Sequence, residues 1–434
     1  MEVNCTNFVE ALVLDAHPIQ YTKAKFKMQY YFSLKHLIEQ CDVNDEYTSA
    51  RLKQYRIAFL GDADLPNITE KDCKNITYSI VNSRTKLWRK KNHYWLLCDI
   101  ALILFDEDKI KKMVFCLNKY LNKRQTMEIE ILKGFLFNNE EIPKKIFFTK
   151  GLVEQFRANV KFATKPQKRY VVTANVSAGK STLINAIIGK SLIKTSQEIC
   201  TGNLCYIYNK PFEDDFVHLS ASYLNLNASS SDFSNVEKSA VSSIASYFRI
   251  VNLMSRICII DTPGVNSVID INHKKITRQV LKEENYNKLI YVLNANKLGT
   301  DEEKEQLQWV AENVAKEKVV FVLNKIDYFK TIDDSIEESI NGVKNDLYLL
   351  GYKEPIICPF SAYFAYLIKL KENGEVMSED EIDSFNLYFK KFSKAEYDLS
   401  IYYREVESDI NESELFQIRK KCGLYGLEQV LFGG

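Results

Sequence analysis

Four short groups of residues in this chain have the types and spacing to do chemistry. The first follows an apolar stretch, Tyr170-Val171-Val172-Thr173, and reads Ala174-Asn175-Val176-Ser177-Ala178-Gly179-Lys180-Ser181-Thr182. A strand that breaks into Gly-Lys-Ser and then a helix is the build of a phosphate loop. Backbone N–H groups at the helix start face the phosphates, Lys180 reaches the β and γ oxygens, and the Ser181 hydroxyl ligates Mg²⁺. Asn175, Val176, Ala178, Gly179 and Thr182 complete the wall around the phosphates. Such loops usually open on glycine. Ala174 stands there instead, and extended backbone accepts its methyl at small cost.

The second group is Ile257-Cys258-Ile259-Ile260-Asp261-Thr262-Pro263-Gly264. A continuous apolar run marks a buried parallel strand, and a carboxylate at its carboxyl end lies where open α/β sheets bind ligands. Asp261 would hold the Mg²⁺ shell through water, and the Gly264 N–H would contact the γ-phosphate. The third group ends another apolar strand, Val319 to Leu323, in Asn324-Lys325-Ile326-Asp327. Guanine offers two adjacent donors, N1–H and the 2-amino group, and the Asp327 carboxylate can accept both. Adenine would leave Asp327 desolvated and unpaired, a penalty of roughly 1–3 kcal/mol or more. The Lys325 stem can pack on the base. The fourth group, Ser361-Ala362, follows the strand Pro355 to Phe360 and offers a backbone amide to the guanine carbonyl. Each piece alone has a bland reading as a turn. Their order along the chain, each at a strand end and at βα-unit intervals, makes the set a guanine-nucleotide site for GTP and GDP.

These residues resemble the dynamin superfamily, the bacterial dynamin-like P-loop GTPases most closely, over about 165–434. Ser177 and the small residue after it match that family's loop. Lys194-Thr195-Ser196-Gln197-Glu198-Ile199-Cys200-Thr201 places Thr201 on the switch I threonine, which closes over Mg²⁺ and orients the attacking water. Asn294-Ala295-Asn296-Lys297-Leu298-Gly299-Thr300-Asp301 looks like the loop before the Asn-Lys-x-Asp strand in bacterial members. Gly423 to Leu431 looks like the domain's closing helix. Two departures bear on mechanism. Val176 stands where eukaryotic dynamins carry a catalytic glutamine, and Val265-Asn266-Ser267 supplies none after Asp-x-x-Gly. The resemblance then implies catalysis by Lys180, Ser177 and Thr201 with backbone carbonyls and a monovalent cation, K⁺ or Na⁺, near Ser177. That machinery would be assembled when two GTPase domains, of one chain or of a related partner chain, meet face to face.

The elements that must position these groups give an α/β fold. We expect a doubly wound, mostly parallel sheet in a P-loop GTPase domain, with an α-helical N-terminal domain. The boundaries read as 1–150 for the helical domain, 151–168 for a linker or hinge helix, and 169–434 for the GTPase domain, with a charged helical insertion at about 371–420. Apolar residues recur at three and four in the first part, giving helices over Ala24 to Gln40, Thr48 to Phe59, Lys90 to Phe105, Asp108 to Leu121 and Met127 to Phe137. Asp106-Glu107-Asp108 lacks the glycine and spacing of a calcium loop and reads as an acidic helix start. Trp88 and Trp95 flank Arg89-Lys90-Lys91, a cluster read as a helix end with core aromatics in preference to an interfacial anchor. Residues 226–236 read as a mobile polar loop.

Charge is divided along the chain. Residues 1–169 hold 29 Lys/Arg against 20 Asp/Glu, a net of +9, so a chain at +1 overall carries −8 in its remainder. A basic first part suits an anionic partner such as a membrane surface, or the acidic part of the same chain. The 10 cysteines form no Cys-x-x-Cys pair, which reads as reduced thiols in a cytoplasmic protein. No signal peptide is read at the start. The longest apolar run, Tyr94 to Phe105, contains Asp99 and falls short of the ~20 residues a membrane span needs. The expected localisation is cytoplasmic, with peripheral contact at the membrane. The chain ends just past the closing helix, so a stalk is reduced, supplied by another chain, or part of a longer protein.

Three function classes remain from these readings. The first is a Mg²⁺-dependent, dynamin-like GTPase whose catalysis is assembled by dimerisation. The second is a non-mechanical switch or scaffold in which GTP orders Thr201 and the loop after Asp261 to dock a protein. The third, an RNA-associated GTPase, has only the basic first part in its favour, and no nucleic acid is expected.

Overall fold

The computed structural model describes residues 8–40, 45–61, 64–82, 91–175, 177–192, 204–234, 241–250, 255–263, 271–330, 335–404 and 413–433. The chain forms two compact units, residues 1–165 with 210–228, and residues 166–209 with 229–434.

The first unit is built around its most apolar segment. Helices α1 (Ala24–Glu39), α2 (Glu46–Leu60), α3 (Glu70–Val81), α4 (Asn92–Leu104), α5 (Glu107–Asn118), α6 (Lys123–Phe137) and α7 (Lys150–Ala163) make up the unit. Every residue of α4 is buried. A helix apolar on all sides belongs at the centre of a core, and this is the apolar run that is too short to cross a membrane. No helix among the described residues is long and apolar enough to do so. Asp99 sits inside this core because three donors converge on it: His17 Nε2 at 3.1 Å, Tyr30 Oη at 2.5 Å and Tyr55 Oη at 3.0 Å. A buried carboxylate with those partners is tolerated; without them it would not be.

Polar signals start the surrounding helices. Asp106 caps α5 by accepting the Lys109 N–H at 2.8 Å, and Asn122 with Gln125 forms a capping box on α6. Trp95 is buried on α4 as a core aromatic, while Trp88 lies outside the described residues. Helix α3 is not legible in the sequence. Its buried positions are only Thr77, Ile80 and Val81, and it is held by packing against α1.

Residues 210–228 follow a strand of the second unit in the chain but pack with the first. They carry the antiparallel pair β3 (His218–Ser220) and β4 (Leu224–Asn225). The Asp214 carboxylate accepts the Leu12 N–H at 2.8 Å, the Lys210 ammonium reaches the same carboxylate at 2.5 Å, and Gln54 Nε2 donates to the Leu226 carbonyl at 2.8 Å. The His218 ring shares a hydrogen at 2.6 Å with the Phe8 carbonyl. Burial and the neighbouring Lys210 charge hold that imidazole neutral, well below its usual range, so Nδ1–H donates to Phe8.

The second unit is the α/β sheet expected from the sequence. Strands β1 (Gln167–Ala174), β2 (Cys205–Asn209), β5 (Ser242–Ser246), β6 (Arg256–Asp261), β7 (Lys288–Asn294), β8 (Val319–Asn324) and β9 (Ile356–Pro359) run through it in the order β5-β2-β6-β1-β7-β8-β9. All neighbours are parallel except β2 with β6. Its principal helices are α8 (Lys180–Ile188), α9 (Ile271–Glu283), α10 (Asp301–Asn313), α11 (Ile336–Leu349), α12 (Ala362–Glu372), α13 (Glu379–Phe392), α14 (Glu414–Lys421) and α15 (Leu424–Phe432). The register aligns the chemistry. Val172 lies opposite Asp261, Asn294 opposite Asn324, and Leu323 opposite Pro359. The carboxyl ends of β1, β6, β7, β8 and β9 therefore form one edge, where α/β sheets bind their ligands.

Candidate nucleotide site

At that edge β1 ends on buried Ala174, and the chain turns tightly, with the Ala178 N–H donating to the Asn175 carbonyl at 3.2 Å. Ser177 holds φ +63°, a conformation non-glycine residues seldom adopt. Gly179 holds φ +91°, and a Cβ there would lie 2.3 Å from Asn324 Nδ2. Only glycine fits, and its N–H opens α8 toward the edge of the sheet. Ser181 and Thr182 follow in the first turn, half-buried.

Lys180 Nζ pairs with Asp261 Oδ1. The second oxygen, Oδ2, is buried and has no hydrogen-bond partner among the described residues. Burial pushes the Asp261 carboxyl above its usual range, and the Lys180 charge opposes that shift. A bare, buried carboxylate oxygen near a lysine suits a hydrated divalent cation as further partner, so the donor set fits Mg²⁺ with Ser181 and Asp261. Thr262 Oγ1 donates to the Val172 carbonyl at 2.8 Å and fastens the end of β6 to β1.

The group around Asp327 is assembled from three loops. Asn324 Nδ2 donates to the Ala178 carbonyl at 2.8 Å, while its Oδ1 accepts the Ala362 N–H at 2.9 Å. Its side chain is thus a strut between the loop after β1 and the loop after β9. Asp327 is 5% exposed. Its Oδ1 accepts the Ser361 hydroxyl at 2.7 Å, and its Oδ2 is buried without a partner among the described residues. Burial raises this carboxyl too, against the pull of Ser361, Lys391 and Lys325. One oxygen anchored and one left open is an acceptor set for a ligand with adjacent N–H donors. Lys325 precedes the turn at φ +72°, half-buried, with its ammonium 5.7 Å from the Tyr328 ring centre.

Two residues stand differently from the sequence reading, and three lie where it is not tested. The backbone amides of Ser361 and Ala362 are both engaged, with the Cys422 carbonyl at 3.3 Å and Asn324 Oδ1 at 2.9 Å, so Ser361 acts here through its hydroxyl on Asp327. Val176, Thr201 and Gly264 lie outside the described residues. Two asparagines acquire roles that no motif assigned. Asn294 Nδ2 donates to the Ser177 carbonyl at 3.3 Å, and Asn296 Nδ2 to the Lys325 carbonyl at 3.2 Å. Their signal was present: asparagines two apart at the end of a buried strand have short side chains suited to bridging neighbouring turns.

The same stretch of chain is similar to known proteins. A model of the Dynamin family matches residues 171–326. A protein of Caldicellulosiruptor sp. (strain Rt8B.4), "uncharacterized protein in xynA 3'region", is 27% identical over 276 residues, 62% of this chain and 66% of its own length. An Arabidopsis thaliana protein, "probable transmembrane GTPase FZO-like, chloroplastic", is 25% identical over 268 residues, 60% of this chain and 26% of its own. The matched part thus spans just under two thirds of the first relative and about a quarter of the second. Among solved structures, a chain of an oligomerised bacterial dynamin pair aligns at 16% identity and a TM-score of 0.37, covering 94% of this chain and 61% of that one.

Proposed function

We propose, for a chain whose residues 171–326 belong to the dynamin family, that it binds GTP and GDP with Mg²⁺ and hydrolyses GTP. The observation that carries this is Asp327. Its single open carboxylate oxygen is buried at the same sheet edge as the phosphate loop, tied to it through Asn324. In this reading Gly179, Asn175, Val176, Ala178 and Thr182 surround the phosphates and Asp327 accepts guanine N1–H and the 2-amino group. Lys180 leaves Asp261 for the β and γ oxygens as nucleotide enters, which frees Asp261 for the cation shell with Ser181 and Thr201. Bound Mg²⁺ supplies charge neutralisation at the phosphate oxygens. Lys180 and the loop amides stabilise charge as water attacks in line, and the Gly264 N–H reads the γ-phosphate.

Residues 176 and 265–267 supply no glutamine to orient water. We therefore infer that Thr201, Ser177 and a monovalent cation complete the site when two such domains face each other. We further infer that the excess of Lys and Arg in residues 1–169 favours peripheral contact with an anionic membrane surface. The test is the GTP hydrolysis rate per molecule across a hundredfold range of protein concentration, with Lys180→Ala as the blank. A rate that climbs with concentration supports assembly-dependent catalysis. A flat, slow rate overturns it and favours a switch that awaits a separate activator.

A further inference from the structure

We propose that Lys391, on helix α13 of the insertion between α12 and α15, is a positioning residue for Asp327, and that the insertion thereby sets how well guanine is told from other bases. This rests on the guanine-site reading above. The turn that carries Asp327 is a single 3₁₀ turn, Ile326–Tyr328. Its own backbone bonds are two, Tyr328 N–H to the Lys325 carbonyl at 3.1 Å and Phe329 N–H to the Ile326 carbonyl at 3.1 Å. So short a turn leaves the carbonyls of residues 327 and 329 without partners inside it.

The insertion supplies those partners. Lys391 Nζ donates to the Asp327 carbonyl at 2.7 Å and also to the Phe329 carbonyl. The Tyr397 hydroxyl donates to the same Phe329 carbonyl at 3.1 Å, and the Lys391 ammonium lies 4.4 Å from the Tyr397 ring centre. Helix α13 is itself seated on α12: Phe392 stacks on Phe364 at 5.2 Å between ring centres, and Phe385 lies 5.9 Å away. Helix α12 begins at Ala362, next to the Ser361 hydroxyl that holds the other end of the Asp327 side chain. One helix therefore bonds the backbone under Asp327 and packs on the helix that starts beside its side-chain anchor. With both fixed, Oδ2 has one direction to point. Charge acts in the same sense. The groups facing the Asp327 carboxyl are Ser361, Lys325 of its own turn, and Lys391 and Tyr388 of α13, and the two lysines favour the ionised form that can accept two donors.

The test compares affinities of the full chain for ribose-labelled GDP, IDP and ADP by fluorescence anisotropy. IDP lacks the 2-amino group, so the GDP:IDP ratio reads the aim of Asp327 and is independent of how much protein is folded. Lys391→Met should weaken GDP by roughly 10-fold, IDP by less, and leave weak ADP binding unchanged, so the ratio falls at least about threefold. Lys391→Arg should recover most of the ratio. An unchanged ratio, or an equal loss for all three nucleotides, overturns the positioning role. If Lys391→Met does not fold, Tyr397→Phe reads the same quantity, with an expected fall of about twofold, and an unchanged ratio there overturns the proposal. A wild-type protein that fails to prefer GDP over ADP would instead refute the guanine site itself.

Discussion

Replacing Asp327 by asparagine tests the base-reading assignment most directly. In the folded protein Oδ1 accepts the Ser361 hydroxyl at 2.7 Å and Oδ2 is the open acceptor. An asparagine amide keeps the oxygen on Ser361 and turns its NH₂ toward guanine's two donors. Two charge-assisted hydrogen bonds are lost, each contributing about 1.5–3 kcal/mol, and donor then faces donor. The lower end of that range already gives about 3 kcal/mol, a loss of roughly 100-fold in GDP affinity. Folding should not suffer, since the change removes a buried charge whose burial raises its pKa. Xanthine carries a carbonyl where guanine has its 2-amino group, so the variant should bind XDP at least ~10-fold better than GDP. The assay is competition of GDP, XDP and ADP against a ribose-labelled nucleotide. GDP affinity within threefold of wild type would refute the reasoning, because the other open buried carboxylate oxygen at this edge, Asp261 Oδ2, belongs to the carboxylate paired with Lys180.

The remaining expectations touch other links of the chain of causes. Gly179→Ala places a methyl 2.3 Å from Asn324 Nδ2 at φ +91°, so it should push the Asn324 strut off Ala178 and cut nucleotide affinity by roughly 10-fold or more, with little change in far-UV circular dichroism. Asp99→Ala leaves His17, Tyr30 and Tyr55 without their shared acceptor inside the first unit. It should destabilise that unit by about 3 kcal/mol or more, read as lost hydrogen-exchange protection in α4 while the strands of the second unit stay protected. GDP affinity should depend on pH with a definite sign. The raised Asp327 carboxyl must be ionised to accept both guanine donors, so affinity is full above its pKa and is lost as pH falls through it, starting above the ordinary value of 3.8. A titration of GDP affinity from pH 8 downward checks this.

Much of this molecule was written locally in its residues. A strand that ends in Gly-Lys-Ser, or in Asn-Lys-x-Asp, declares both its element and its place at a sheet edge, because apolar runs must be buried and the polar residues after them must sit where the strand ends. The core helix α4, the acidic helix start at Asp106 and the strands around the site were legible for the same reason: each depends on residues within a turn or two of one another. Helix α3 was not, since only Thr77, Ile80 and Val81 of its residues are buried and the α1 face they pack on is distant in the chain. Long-range partnership was equally silent. Nothing within reach of Asn324 in the chain says that its amide will span Ala178 and Ala362. Nothing near Lys391 points to a carbonyl 64 residues back. Nothing in 210–228 announces that Asp214 will bond Leu12 across 202 residues. Residue types and spacing determined which atoms could meet a nucleotide. Only the tertiary structure decided which of those atoms hold the loops and which, like Asp327 Oδ2, are left open, because a hydrogen bond between loops must be broken before a ligand can use its atoms.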